Sequence, residues 1–291
     1  MTRTGATLVG ATAILMWAGL ATLTRFAGAV PPLELTGFSF LIGGTLGAIV
    51  CLMRRGSPFL SLNNWRAWTV GVGGLFFYHV TYFAAMSLAP PMEVSLIAYL
   101  WPLLIVVLSA LLPGERLKVH HVFGVVLGFA GAALVISKGN FGEIGQNLTL
   151  GHGLAFLCAL IWGLYSVLSR KLAQVPTDAV AGFCLATGVL AFIAHAASEP
   201  TVWPDGTGQW LAILMLGVFP VGLAFFTWDF GVKRGDIMVL GAASYLSPML
   251  SAITLVASGI ASFSLSLALA CILIMCGAVV AAKDMIFKKP I

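Results

Sequence analysis

The chain has 291 residues, of which 60% are apolar and 9% are charged, and its formal net charge is +5. Soluble domains carry about 25% charged residues, so this chain has too little charge to cover a surface that faces water. The composition excludes a disordered chain, a nucleic-acid-binding protein and a secreted disulfide scaffold, and it predicts an all-α integral membrane protein.

Apolar stretches of about 20 residues, the length that crosses a bilayer as a helix, follow one another along the chain. Charged residues, prolines or polar clusters separate them. We predict ten transmembrane helices, at residues 5–26, 33–53, 65–88, 92–112, 121–136, 151–172, 179–197, 210–230, 237–257 and 263–286. Because these spans use most of the chain, no soluble domain remains, and any function must lie within the helical bundle.

The basic residues fall on alternate connections between the predicted spans. If the N-terminus is inside, thirteen of the fifteen Lys and Arg residues lie in one set of connections, and only Arg25 and Lys138 lie in the other. Basic residues accumulate in cytoplasmic loops, so both termini are predicted to be cytoplasmic. The net charge is thus explained by the lipid bilayer, and no nucleic-acid partner is implied.

The chain repeats itself at an offset of about 145 residues. Trp17 and Trp162 are 145 positions apart, and Tyr-Leu-Trp-Pro at 99–102 meets Tyr-Leu-Ser-Pro at 245–248 at an offset of 146. We therefore divide the single membrane domain into two halves of five spans, 1–145 and 146–291. Since five is odd, the second half enters the membrane from the opposite side, which is the inverted-repeat arrangement of many secondary transporters.

The end of the first half carries a recognisable pattern. Pro102 is followed by Gly-Glu-Arg-Leu at 114–117, by Gly124 and Gly128, and by Gly-Ala-Ala-Leu-Val at 131–135. This pattern resembles the EamA repeat of the drug/metabolite transporter superfamily, although Ser-Gly-Ile-Ala stands at 258–261, where the second half should repeat the turn. The resemblance implies a ten-helix EamA fold and a secondary transporter that exports small organic metabolites across the cell membrane, the bacterial inner membrane being the expected location.

Within that superfamily, the aromatic residues of the spans are similar to those of the YddG-like branch of amino-acid exporters. This implies amino acids, including aromatic ones, as the substrates. The alternative within the same fold is a multidrug or organic-cation exporter. A channel would need a repeated filter or a charged ring, and an intramembrane enzyme would need a nucleophile–base or metal constellation, so we predict neither. A monomer is plausible.

Candidate substrate contacts are aromatic and polar residues deep in the spans, where an indole N–H or a phenol O–H needs a partner or water. Together they make a pocket with π faces and hydroxyl groups but without a fixed charge. Each of them could instead serve packing, and His79 could be a core histidine rather than a substrate contact or a proton site. The set comprises Trp17, Tyr78, His79, Tyr82, Tyr99, Trp101, Trp162, Ser244 and Tyr245.

Two prolines lie near the middle of the fourth and ninth spans at equivalent positions of the repeat. Pro102 and Pro248 each remove a helix hydrogen bond, which frees the carbonyls of Ala98 and Ser244. They are either static kinks or a pair of hinges that line the pathway, and their equivalent placement favours hinges.

Two kinds of ionisable or metal-binding residue carry less information about function. The five cysteines form no Cys-x-x-Cys pair, so we predict packing residues, with no metal site and no cofactor. Asp229 is read as the single carboxylate within a span, near the cytoplasmic end and paired with Lys233. Because no carboxylate is expected at the midplane, we predict facilitated export or exchange rather than tight coupling to protons or sodium.

Overall fold

The computed structural model describes residues 2–54, 56–57, 64–109, 118–137, 140, 147–170, 172, 174–235, 240, 243–281 and 283, and every regular element among them is a helix. In chain order these are α1 (Arg3–Ala18), α2 (Leu20–Phe26), α3 (Pro32–Met53), α4 (Trp65–Leu88), α5 (Pro91–Ala98), α6 (Trp101–Ser109), α7 (Val119–Ser137), α8 (Leu150–Arg170), α9 (Ala179–Ser198), α10 (Gly206–Val218), a π-helix (Phe219–Leu223), α11 (Ala224–Arg234), α12 (Ser247–Ala257) and α13 (Leu265–Ala281).

Seven of the described helical segments are long and apolar enough to cross a membrane, and three shorter apolar helices lie at Pro91–Leu104, Ser247–Ala257 and Leu265–Val280. Large apolar side chains remain exposed on the outer helix faces, including Leu15, Phe77 and Phe123. A water-soluble surface rarely exposes so many of them. The described part therefore has the architecture of a multi-pass membrane protein.

Local sequence signals set where several helices begin. The Thr2 hydroxyl accepts a hydrogen bond from the Gly5 N–H, and the Asn64 side chain accepts one from the Ala67 N–H. Both are N-caps, which satisfy backbone donors that have no partner within the helix. Pro32 and Pro91 occupy the first positions of α3 and α5, where the missing proline N–H costs nothing.

The predicted kinks in the fourth and ninth spans appear as interruptions. A turn at residues 99–100 separates α5 from α6, and a turn at 245–246 precedes α12. Pro102 and Pro248 are the second residues of the helices that follow. The two interruptions are again 146 positions apart, whereas movement about them stays a prediction.

Two further interruptions lie in the first and eighth spans. Gly19 separates α1 from α2, and Pro220 lies in the π-helix between α10 and α11. Proline cannot donate the hydrogen bond that continues an α-helix, so the turn widens around it. Within the described residues, helical spans are thus interrupted at four places rather than two.

The most extensive helix packing joins elements of the two halves: α7 with α13, α3 with α9, α4 with α8, and α1 with α11. Glycines allow the close contacts. A Cβ atom on Gly10 would lie 2.9 Å from the Cα of Gly231, and one on Gly277 would lie 2.7 Å from the Gly124 carbonyl oxygen. Helices in lipid associate through such small residues, because apolar burial gives no advantage over lipid contact.

Several sequence features lie outside the described residues. They include the Gly-Glu-Arg-Leu turn at 114–117 and the basic positions Arg55, Lys138 and Lys289. The side chain of Lys233 is also outside them, so the predicted pair with Asp229 stays a prediction. In the structure, the Thr177 hydroxyl donates to the Asp229 carboxylate.

Candidate functional site

A central cavity lies where three of the broken helices meet. Trp17 and Leu20 line it on the two sides of the Gly19 break, and Ala98 and Trp101 line it on the two sides of the 99–100 turn. Phe225, the second residue of α11, also lines it. Its volume is about 30 Å³, which is room for very few water molecules. The lining residues are Trp17, Leu20, Tyr78, His79, Tyr82, Ser95, Ala98, Tyr99, Trp101, Trp162 and Phe225.

The broken helices supply backbone carbonyls that accept hydrogen bonds from side chains of neighbouring helices. The Tyr99 hydroxyl donates to the Trp17 carbonyl at 3.2 Å, and the Thr254 hydroxyl donates to the Ala18 carbonyl at 2.9 Å. The Trp17 indole N–H in turn donates to the Pro220 carbonyl at 3.1 Å. Irregular backbone at membrane depth is tolerated where such partners or a cavity satisfy it, so these bonds hold the breaks in place around the cavity.

Trp162 lies at the centre of the aromatic wall. Its ring centroid is 6.1 Å from that of Trp17, 4.9 Å from Tyr78 and 6.4 Å from Trp101. Phe225 adds a further ring at 5.9 Å from Trp162. These tilted and edge-to-face contacts are the favoured arrangements of aromatic pairs, and they present π faces to whatever enters the cavity.

His79 is the one lining residue with an imidazole ring. Its Nδ1 atom lies 2.9 Å from the Leu75 carbonyl oxygen, an acceptor, so Nδ1 carries a hydrogen. In the neutral ring the other nitrogen, Nε2, is then an acceptor. The cavity wall therefore contains a hydrogen-bond acceptor and several hydroxyl groups, and its lining residues include no carboxylate, lysine or arginine.

The structure brings together seven of the nine side chains that the sequence singled out. Trp17, Tyr78, His79, Tyr82, Tyr99, Trp101 and Trp162 all line the cavity. Ser244 and Tyr245 do not line it. Both are buried, and Tyr245 packs with Ala278 instead. The role of all nine in transport stays a prediction.

Sequence reasoning missed Phe225, although the repeat contains the signal that could have found it. At the offset of 146 residues, Phe225 is the equivalent of His79, and the two rings lie 5.7 Å apart. A residue whose repeat partner is a candidate should have been a candidate as well.

Reading Asp229 as the only carboxylate within a span is wrong. Glu34 and Glu93 lie in the first turns of α3 and α5, and they are 1% and 8% exposed. Their sequence context is the same, Pro-Pro-Leu-Glu at 31–34 and Pro-Pro-Met-Glu at 90–93. Carboxylates in a first turn interact favourably with the helix dipole, and neither lines the cavity.

Histidines of the second half contact both buried carboxylates. His152 Nε2 lies 2.7 Å from the Glu93 carboxylate, while its Nδ1 accepts from the Thr149 N–H at 3.0 Å. His195 Nε2 lies 3.8 Å from the Glu34 carboxylate, and His195 Nδ1 lies 3.1 Å from the Glu199 carboxylate. These contacts join α5 to α8 and α3 to the end of α9, so they connect the two halves at the helix ends.

Within the described residues, no three His, Cys, Asp or Glu side chains are placed to hold a metal ion. The five cysteines are free thiols, four of them buried. The described site is thus an uncharged, largely aromatic cavity between broken helices of a membrane bundle.

Such a cavity between two repeated halves is the kind of site that membrane transporters use. The profile of the EamA-like transporter family matches the chain twice, at residues 4–137 and 149–282. The chain belongs to this family, and it contains two EamA repeats.

Relatives in the family include named transporters. The aromatic amino acid exporter YddG of Ancylobacter novellus is 50% identical over 283 residues, which are 97% of this chain and 98% of the relative. The protein of the same name from Escherichia coli is 27% identical over 263 residues, 86% of this chain and 87% of the relative. A solved crystal structure that is 50% identical in sequence matches with a TM-score of 0.77, over 97% of this chain and 99% of its own.

Proposed function

We propose that this protein exports amino acids, including aromatic ones, across the cytoplasmic membrane. The observation that carries the proposal is the uncharged cavity, whose walls combine indole and phenyl rings with hydroxyl groups and one imidazole acceptor. Aromatic amino acids are zwitterions with a flat ring, and such walls suit both parts of them. The name of the 50% identical relative agrees with this substrate class.

The proposed architecture is ten spans in two inverted halves, residues 1–145 and 146–291, with both termini in the cytoplasm. Seven long and three short apolar helices support ten crossings, provided that α1 with α2, α5 with α6, and α10 with α11 each cross as one broken span. The thirteen-to-two distribution of basic residues supports the orientation.

The cavity is contracted. Its volume of about 30 Å³ is far below the roughly 300 Å³ or more that ligand pockets have. An amino acid therefore enters only after helices move apart, as alternating access requires. In the proposed orientation, two hydroxyl pairs, Thr22–Thr254 and Ser95–Ser251, close the outer side at 3.1 and 2.7 Å.

The lining residues contain no carboxylate, and this supports downhill export or exchange. Proton- and sodium-coupled carriers keep ionisable groups in the membrane as relays. The two buried carboxylates lie at helix ends and contact histidines, outside the cavity.

Counterflow in proteoliposomes tests the proposed function. Vesicles loaded with unlabelled phenylalanine are expected to accumulate labelled phenylalanine transiently, without an imposed proton gradient. A channel equilibrates the label without accumulation, so that result excludes a carrier. Uptake of flat organic cations with no uptake of amino acids supports the multidrug alternative, for which the π faces are the relevant observation.

Three substitutions connect the activity to the cavity. Replacing Tyr82, Tyr99 or Trp101 separately with Ala is expected to reduce phenylalanine counterflow at least about tenfold, because each change removes an aromatic ring from the cavity wall. Membrane expression is measured alongside, and Trp203→Ala, which changes an exposed tryptophan, is the control. Unchanged kinetics in all three variants means that the pathway lies elsewhere.

A further inference from the structure

The two halves contribute unequally to the cavity. Of its eleven lining residues within the described part of the chain, nine belong to residues 1–145, and Trp162 and Phe225 belong to the second half. The repeat relates the halves in sequence, so this inequality arises where equivalent positions differ in side chain or in backbone.

The polar atoms of the cavity lie on the wall that the first half forms. Tyr78, His79 and Tyr82 follow one another on α4, and Ser95 and Tyr99 lie at the end of α5. The His79 ring uses Nδ1–H on the Leu75 carbonyl, so Nε2 is the acceptor of the neutral ring. In this wall, His79 Nε2 can accept a hydrogen bond from an ammonium group and the Tyr82 hydroxyl can donate one to a carboxylate, whereas the Tyr99 hydroxyl already donates to the Trp17 carbonyl.

The wall of the second half is almost entirely apolar. Phe225 has no polar side-chain atom, and Trp162 has a single indole N–H. Their ring centroids lie 5.9 Å apart at 36°, and Trp17 lies 6.1 Å from each. The two rings therefore form a tilted aromatic surface, which contacts the polar wall at Tyr78 and His79.

One repeat position carries most of this difference. His79 and Phe225 are equivalent at the offset of 146, both are buried, and their rings meet edge to face at 5.7 Å. A polar ring occupies this position in the first half and an apolar ring of similar size in the second half. The described lining of the cavity is thus polar mainly on the residues of the first half and apolar on those of the second half.

From this division we infer the orientation of the substrate, an inference that rests on the proposed amino-acid transport. The α-ammonium and α-carboxylate groups bind the first-half wall, with His79 Nε2 accepting from the ammonium group, and the side chain lies against Phe225 and Trp162. Phe225 then determines the preference for aromatic side chains, whereas His79 recognises the α-ammonium group, which all the amino acids carry.

Competition against labelled phenylalanine counterflow tests this orientation. The unlabelled competitors are phenylalanine, threonine and 3-phenylpropanoate, which has the ring and the carboxylate but no ammonium group. Phe225→Leu is expected to weaken inhibition by phenylalanine about fivefold, the factor that a ring–ring contact provides, and to leave threonine unchanged. Phe183→Leu is the matched control, because Phe183 is also 7% exposed but packs on Trp68 outside the cavity.

His79→Phe places the second-half residue in the first half. It is expected to weaken inhibition by phenylalanine and by threonine equally, about tenfold, because each loses a hydrogen bond to a charged group. Inhibition by 3-phenylpropanoate should not weaken. His79→Gln, which keeps a side-chain acceptor, is expected to restore most of the loss, and a purely structural role of His79 predicts no such rescue.

The outcomes separate the inference from the proposed function. If the wild-type protein carries no amino acid, the proposed function fails and the inference fails with it. If the wild type carries amino acids but Phe225→Leu weakens phenylalanine and threonine equally, only the inference is overturned. It is overturned also if His79→Phe affects phenylalanine alone or weakens 3-phenylpropanoate as much as the amino acids.

Discussion

The helix Trp65–Leu88 and the segment Gly206–Gly231 occupy equivalent positions of the two repeats, yet only the first is a continuous α-helix. The second consists of α10, a π-helix at Phe219–Leu223 and α11. Both segments contribute to the cavity. The continuous helix presents Tyr78, His79 and Tyr82, and the interrupted one presents Phe225 alone.

One pair of equivalent residues in the two repeats explains why one segment is continuous and the other is interrupted. Gly74 is the equivalent of Pro220 at the offset of 146. Glycine keeps its N–H and lets α4 approach the Tyr165 ring closely, whereas proline lacks the N–H and widens the turn. The Pro220 carbonyl of the interrupted segment accepts the Trp17 indole N–H. The comparison shows how one residue makes two related helices perform different parts of one site.

The largest expected effect comes from filling the close contact beside the π-helix. A Cβ atom on Gly222 would lie 2.4 Å from the Gly217 carbonyl oxygen and 3.1 Å from the Gly43 Cα, both of them backbone atoms. Gly222→Leu is therefore expected to destabilise the protein by at least about 3 kcal/mol, seen as loss of monodisperse protein in detergent. Gly73→Leu on α4 is the control, because a Cβ atom there meets nothing within 4 Å. Equal behaviour of the two variants contradicts the close contact.

The next effect comes from removing the cause of the interruption. Pro220→Ala restores an N–H, so the π turn is expected to revert to α-helix. Converting the wide π turn to α-helix shifts the register of the following helix by one residue, or about 100°, and this turns Phe225 away from the cavity. Phenylalanine counterflow is then expected to fall about tenfold at normal expression. Gly208→Ala, at an open position of α10, should leave it unchanged. Full activity of Pro220→Ala means that the π turn does not position Phe225.

The sequence predicts the helices better than it predicts their breaks. Of the ten stretches that apolar length predicts, seven match long apolar helices among the described residues and three overlap shorter ones. The repeated Tyr-Leu-x-Pro segments predict the turns at 99–100 and 245–246. The break at Gly19 could not be found in this way, since a lone glycine is common in membrane helices. Hydroxyl groups of Tyr99 and Thr254, distant in sequence, satisfy its carbonyls.

For the polar residues, too, the sequence predicts position within a span better than it predicts contacts with distant residues. Depth within a span selected seven side chains that line the cavity, but it also selected Ser244 and Tyr245, which do not line it, and it missed Phe225. The contacts of Glu34 with His195 and of Glu93 with His152 join residues that are far apart in sequence. The recurring Pro-Pro-x-Glu segments could have identified the carboxylates, which the sequence prediction overlooked, but only the tertiary structure identifies their histidine partners.

The smallest expected effect comes from removing the hydrogen bond that joins α1 to the interrupted segment. Trp17→Phe keeps an aromatic ring in the wall but removes the indole N–H that donates to the Pro220 carbonyl at 3.1 Å. A buried acceptor that loses its partner costs about 1–3 kcal/mol, so a thermal unfolding midpoint several degrees below that of the wild type is expected in detergent. Trp210→Phe, which changes a tryptophan that is 41% exposed, is expected to leave the midpoint unchanged. Equal midpoints for Trp17→Phe and the wild type contradict a stabilising role of this bond. A lower midpoint for Trp17→Phe alone means that the hydrogen bond from Trp17 to the Pro220 carbonyl stabilises the protein, and hence that the interrupted segment is part of the contact between the two halves.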